Sequence, residues 1–139
     1  LSDYGDRTRF ELRSFNDPFP ACDAITACIS LHHVPSLEKK QALYQRAYNA
    51  LRPGGIFVNA DAAVPTHGKE KERLYRYWAR HLVANGIPEG RAWQHFEEWA
   101  EEDSYFSLTE ELAALSAVGF DAHCVWREGP SAVLLGRRL

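Results

Sequence analysis

The 139-residue sequence has no methionine and opens on Leu1, and we expect it to be a piece of a longer product. It also lacks a basic excess: 16 Lys and Arg stand against 19 Asp and Glu, a net charge of −3. Nucleic-acid binding usually leaves a basic footprint, so that class of partner is not expected. No apolar run approaches the roughly 18 residues of a membrane-spanning helix, and the first residues do not read as a secretory signal. Cysteine is scarce. Cys22, Cys28 and Cys124 are odd in number and show no metal-like spacing, which argues for reduced, buried thiols in a cytoplasmic protein rather than a disulfide framework. There is no G-x-G anywhere, and Gly54-Gly55 follows a helical pattern and precedes a strand. That is the reverse of a Gly-rich loop that opens a helix on a nucleotide. Internal repeats and low-complexity segments are missing as well.

What is present is the composition of one globular domain. Hydrophobic residues make up 45% and charged residues 25%, so the chain can bury a real core within a single domain. The organising stretch runs from Asp23 to Asp61. Residues 24–30 and 56–58 are apolar runs without polar alternation, as in strands covered on both faces. Between them Leu43, Ala47, Ala50 and Leu51 recur at helical spacing. Ser36 is placed to cap that helix, Glu38 suits its first turn, and Pro53-Gly54-Gly55 ends it. The parts make a βαβ unit with a right-handed crossover. Ligands of such sheets bind beyond the carboxyl ends of the strands, which here carry Ser30-Leu31-His32-His33 and Asn59-Ala60-Asp61.

Upstream, Phe10, Leu12 and Ser14 alternate with Glu11 and Arg13, the period-2 pattern of a half-exposed strand. Asn16-Asp17-Pro18-Phe19-Pro20 then turns the chain. Beyond Ala62 the pattern becomes helical. Residues 69–84 put Leu74, Trp78 and Leu82 on one stripe, Gly86 stops that helix, and Trp93, Phe96 and Ala100 mark a shorter one. Trp78, Trp93 and Trp99 serve as docking payload for these helices, or some of them line a substrate pocket beneath a lid-like insertion spanning residues 62–106. Ser107 and Glu110 form a capping box, and Gly119 closes the helix they start. Residues 123–126 and 132–135, joined through Glu128-Gly129-Pro130, read as an antiparallel hairpin.

The order of these parts resembles class I S-adenosylmethionine-dependent methyltransferases: an Asp before an apolar strand, a Leu-His-His exit, a helix, Leu51-Arg52-Pro53-Gly54-Gly55, a second strand, and a closing helix and hairpin over residues 107–138. Within that family it is similar to ubiquinone/menaquinone-type methyltransferases and to carboxy-S-adenosylmethionine synthases. The resemblance implies an α/β, Rossmann-like fold: a mostly parallel sheet of order 3-2-1-4-5-7-6 with a C-terminal antiparallel hairpin. Here the first two strands are lacking and residues 10–14 stand as strand 3. It implies S-adenosylmethionine as cofactor and a small-molecule methyl acceptor. By position in the family, Ser14 and Phe15 and then Cys28 would hold the adenosine, with Phe15 on the adenine and Cys28 offering backbone groups. The family's Gly-rich cofactor loop and ribose-binding acid have no counterpart in these residues.

Methyl transfer from a sulfonium is an in-line displacement, which needs alignment more than a strong catalyst. His32 and His33 are the candidates to polarise or deprotonate an acceptor, because histidine titrates near working pH. The alternative for either is a hydrogen bond to its own loop. Asp61, Tyr77 and Trp78 are the candidate acceptor contacts, with Tyr77 and His81 sharing a helix face. A metal set of His32, Asp61 and His67 has no local ligand spacing behind it, and no metal is expected. The charge runs at residues 69–73 and 97–103 read as solvated helix faces. The rival reading is a non-catalytic remnant that binds or dimerises. With strand 1 missing, residues 24–30 would form a bare edge, and the segment around residues 10–14 could cross to a second copy as a swapped homodimer.

Overall fold

The computed structural model describes residues 2–139. In chain order it contains β1 (Cys22–Cys28), α1 (Leu37–Ala50), β2 (Leu51–Ala62), α2 (Lys69–Ala84), α3 (Glu89–Trp99), α4 (Leu108–Ala117), β3 (Phe120–Glu128) and β4 (Ser131–Arg138). Short 3-10 turns cover Ser2–Arg7 and Leu31–His33. The strands form one sheet of order β1-β2-β4-β3. β1 and β2 run parallel, while β4 is antiparallel to both β2 and β3. This is the order 4-5-7-6 expected of the last four strands, with the closing hairpin inserted beside β2.

Local chemistry explains the βαβ unit. Ser36 Oγ accepts the Lys39 N–H at 3.2 Å and fixes the start of α1, which buries Leu43, Tyr44 and Ala47. At the entry to β2, Gly54 takes φ +81, and a Cβ on Gly55 would lie 2.8 Å from the Arg52 carbonyl oxygen. Only glycine at both positions lets the chain turn this tightly while pairing resumes opposite Ala24. β1 covers residues 22–28 rather than 24–30, because Ile29 leaves extended geometry with φ +45.

α1 and α4 cover one face of the sheet. Leu43, Tyr44, Leu51, Phe57, Leu115, Phe120 and Leu134 form the core between them. The capping box at Ser107 is complete: Glu110 N–H donates to Ser107 Oγ, and Ser107 N–H donates to Glu110 Oε2. Gly119 follows α4 with φ +105 and feeds the buried Phe120 into β3. A Cβ at Gly119 would meet the Tyr48 ring at 3.2 Å. Gly119→Val is therefore expected to cost roughly 1–2 kcal/mol through positive φ, read as a lower melting temperature. An unchanged melting temperature would mean that this residue does not close the helix. α2 and α3 pack mainly on each other through Ala79, Ala92 and Phe96, joined by Tyr75, Trp78 and Trp99.

Two expectations need correction. Residues 10–14 form no strand, and Phe10 and Leu12 are exposed. Their alternation is genuine, but among the described residues no strand pairs with them, and an isolated strand does not hold in water. Local bonds shape the arm instead: Ser14 N–H donates to Asp17 Oδ2 at 2.8 Å, and Arg46 donates to the Phe15 carbonyl at 2.6 Å. The three thiols are free, as expected, but Cys22 and Cys124 are only half-buried and Cys28 is exposed. No helix among the described residues is long and apolar enough to cross a membrane.

Candidate functional site

At the end of β1 the chain turns through Ile29, where φ +45 is unusual for a β-branched residue. The Ile29 N–H still donates to the Ala60 carbonyl at 2.8 Å, so the strained residue is pinned to the neighbouring strand. This turn carries Leu31–His33 across the carboxyl end of β2, where Asp61 receives them. Asp61 Oδ2 accepts the backbone N–H of Leu31 at 2.9 Å and of His32 at 3.1 Å. Oδ1 accepts the Ala62 N–H at 2.9 Å and lies 2.7 Å from His32 Nδ1. A carboxylate only accepts, so His32 donates through Nδ1–H, and its lone pair is assigned to Nε2. Both side chains are buried.

His32 opens on a cavity of about 460 Å³ whose walls include His33, Trp78, Trp99 and Tyr105. The Trp78 ring lies 5.6 Å from Trp99 and 5.9 Å from Tyr105. Asp103, just beyond α3, faces both histidines: its Oδ1 is 3.1 Å from His33 Nδ1 and 3.7 Å from His32 Nε2. Tyr105 OH donates to Asp103 Oδ2 at 2.5 Å. Burial, then the hydrogen bond and charge of Asp103, hold the Tyr105 phenol protonated well above its ordinary range. The Ser104 N–H donates to the His32 carbonyl at 2.7 Å and ties the connection after α3 to the histidine turn. No lysine or arginine is among the lining residues, whereas Asp61, Glu98, Glu102 and Asp103 are. The wall is aromatic with an acidic rim.

Of the residues expected at the site, His32, His33, Asp61 and Trp78 come together on this cavity. Asp61 spends its oxygens on the histidine turn rather than leaving them free for an acceptor. Tyr77 does not line the cavity; its ring packs on Gly129 in the turn between β3 and β4, and its hydroxyl donates to Glu128 Oε1 at 2.8 Å. Ser14 and Phe15 stand exposed on the arm, and Cys28 is exposed at the end of β1; none of the three lines the cavity. His67 pairs with Thr66, its Nδ1 2.9 Å from Oγ1, and is not part of the histidine cluster. Asp103 was missed, because the run to which it belongs reads as a solvated face. The structure separates Asp103 from that face: α3 ends at Trp99, so Asp103 lies on the connection after that helix, a boundary the charge run does not mark. Tyr105 was likewise not singled out.

Solved structures share this architecture. An O-methyltransferase family protein from Burkholderia thailandensis superposes with a TM-score of 0.66 at 15% identity, over 98% of this chain and 37% of its own. PigF with SAH gives 0.63 at 20% identity, over 97% of this chain and 37% of its own. Human N-acetylserotonin methyltransferase in complex with SAM gives 0.58 at 19% identity, over 89% and 31%. The chain has the class I methyltransferase fold. It spans little more than a third of the first two structures and 31% of the third. No protein-family model matches the sequence, and no curated protein matches it. In the class I methyltransferase fold the parallel pair β1 and β2 is central, and ligands of such sheets sit beyond its carboxyl ends. The His32 cavity lies there.

Proposed function

We propose that these residues form the acceptor side of an S-adenosylmethionine-dependent methyltransferase that modifies a hydroxyl group on a small molecule. The observation that carries this reading is the buried His32–Asp61 pair, 2.7 Å apart, facing an aromatic cavity at the carboxyl end of the parallel strands. S-adenosylmethionine would supply the methyl group. His32 Nε2 takes the acceptor's hydroxyl proton, Asp61 holds the tautomer and offsets the imidazolium charge, and Trp78, Trp99 and Tyr105 orient a flat acceptor and exclude water. The aromatic wall of Trp78, Trp99 and Tyr105 supports an aromatic acceptor. The free thiols of Cys22, Cys28 and Cys124 support a reducing, cytoplasmic setting.

The seat of the cofactor is not completed by these residues. Ser14, Phe15 and Cys28 are exposed, and no Gly-rich loop is present to approach the ligand by backbone. Calorimetry of the 139-residue chain with S-adenosylmethionine is expected to show dissociation weaker than roughly 1 mM, about −4 kcal/mol; micromolar binding would overturn that assignment. The function itself is tested by label transfer from S-adenosylmethionine to a panel of hydroxylated aromatics, using the natural gene product that contains these residues. Labelled product supports methyl transfer, and its absence across the panel in a folded, cofactor-binding protein counts against it.

One observation favours a second reading, that of a dimerising module. Among the described residues β1 has no partner on its outer edge, and the exposed Phe10 and Leu12 lie on the arm before it. An unpaired edge is a template for another strand. In this reading residues 10–14 of one molecule add to β1 of a second copy and build a two-fold homodimer. Sedimentation at micromolar concentration, repeated with residues 1–16 deleted, decides it. A clean monomer rules out the exchange, and a dimer that survives the deletion places the interface elsewhere.

A further inference from the structure

We propose that His32, His33 and Asp103 form a binding site for a divalent cation of the zinc class. One nitrogen of each histidine and one oxygen of Asp103 lie within 4.8 Å of one another. Zinc–nitrogen bonds of about 2.0–2.1 Å in a tetrahedron set neighbouring ligand atoms about 3.3 Å apart. The distances from Asp103 Oδ1, 3.1 Å to His33 Nδ1 and 3.7 Å to His32 Nε2, fall on either side of that value. The remaining separation, between the two histidines, closes by rotation of His33, whose side chain is 49% exposed against 9% for His32 and 10% for Asp103.

The two buried ligands are already oriented. His32 presents Nε2 because its Nδ1–H is held by the Asp61 carboxylate, the carboxylate–histidine–metal order that fixes the tautomer and raises the basicity of a ligand. Asp103 has its other oxygen occupied by the Tyr105 hydroxyl. Two imidazoles and one carboxylate suit zinc, cobalt or nickel, whereas calcium and magnesium prefer oxygen-only sets. The fourth position faces the cavity that these three residues line. When the cation binds, His33 coordinates through Nδ1 and carries its single ring proton on Nε2, and no redox step is involved. The site stands independently of methyl transfer. Only its consequence rests on that reading: a cation on Nε2 occupies the lone pair that the base requires, so an occupied site cannot deprotonate an acceptor.

The probe is Co2+, titrated into the reduced protein and followed by the visible bands of four-coordinate cobalt, with Zn2+ added afterwards to displace it. One ion per chain is expected. His33→Ala and Asp103→Asn should each weaken binding at least about tenfold, and His67→Ala and His123→Ala should leave it unchanged. Circular dichroism checks the fold, and His33, being half-exposed, is the position least able to disturb it. Absence of the bands overturns the proposal. So does a thiolate-to-cobalt band in the near ultraviolet, or an affinity indifferent to both His33→Ala and Asp103→Asn. Because the readout is cobalt absorbance, it stands or falls apart from any result on methyl transfer.

Discussion

Glu111→Ala is expected to remove roughly 3–5 kcal/mol of stability, a large share of the about 5–15 kcal/mol that a domain has. Lys40 on α1 and Glu111 on α4 are 1% and 2% exposed. The Lys40 ammonium pairs with Glu111 Oε1, the Tyr44 hydroxyl donates to Oε2 at 2.6 Å, and the Phe106 ring closes over Lys40 Nζ at 5.0 Å. Deleting the carboxylate strands an ammonium and a phenol where water does not reach. The double change Lys40→Met with Glu111→Leu should recover most of the loss, because an apolar pair needs no desolvation of charge. Denaturant midpoints for Lys40→Met, Glu111→Leu and the double decide this; a loss in the double equal to the sum of the two single losses would mean that the pair is not coupled. Burial first, then the Glu111 charge, raises the Tyr44 pKa well above 10.0. A raised folded pKa contributes stability that is whole below the unfolded value, about 10, and is lost as pH rises beyond it. Melting temperature should therefore decline above about pH 10, and Tyr44→Phe should flatten the decline.

That triad was not legible in the sequence, and the reason is physical. Lys40 and Glu111 lie 71 residues apart, and each sits in a helix among other charged residues whose default place is the surface. Only the packing of α1 on α4 brings them together. Asp61 shows a different limit. The chain pattern puts it at the end of a strand beside a ligand-bearing edge, which is where it lies. What the pattern cannot give is the register, Cys28 opposite Ala60, which carries the Leu31–His33 turn onto its carboxylate. Features governed by near neighbours were readable: the Ser36 cap, the capping box at Ser107, the positive φ of Gly119 and the closing hairpin. The segment at residues 10–14 shows the converse. Its period is that of a strand, but strand formation depends on a partner, and its own residues do not supply one.

The largest effect on activity is expected from Asp61→Asn, a fall in kcat of roughly 10²–10⁴-fold with little change in KM. Asp61 touches no acceptor in this reading; it positions His32. Both of its oxygens accept hydrogen bonds, and the one on Oδ1 from His32 Nδ1 keeps the proton on that nitrogen. An asparagine that keeps its oxygen toward the Leu31 and His32 N–H groups turns its NH2 toward His32 Nδ1, which must then accept. The ring proton moves to Nε2, and the lone pair that takes the acceptor's proton is lost. Acceptor affinity should persist, since the aromatic wall of Trp78, Trp99 and Tyr105 is untouched. The same NH2 also faces the Ala62 N–H, which loses its partner at a cost of roughly 1–3 kcal/mol, so the variant is assayed below its lowered melting temperature. His32→Ala should fall to the same floor, and the double variant no further, because two residues that act as one unit do not add. A folded Asp61→Asn enzyme that keeps its kcat would remove His32 as the base. A rise in KM alone would return Asp61 to the role of a direct acceptor contact.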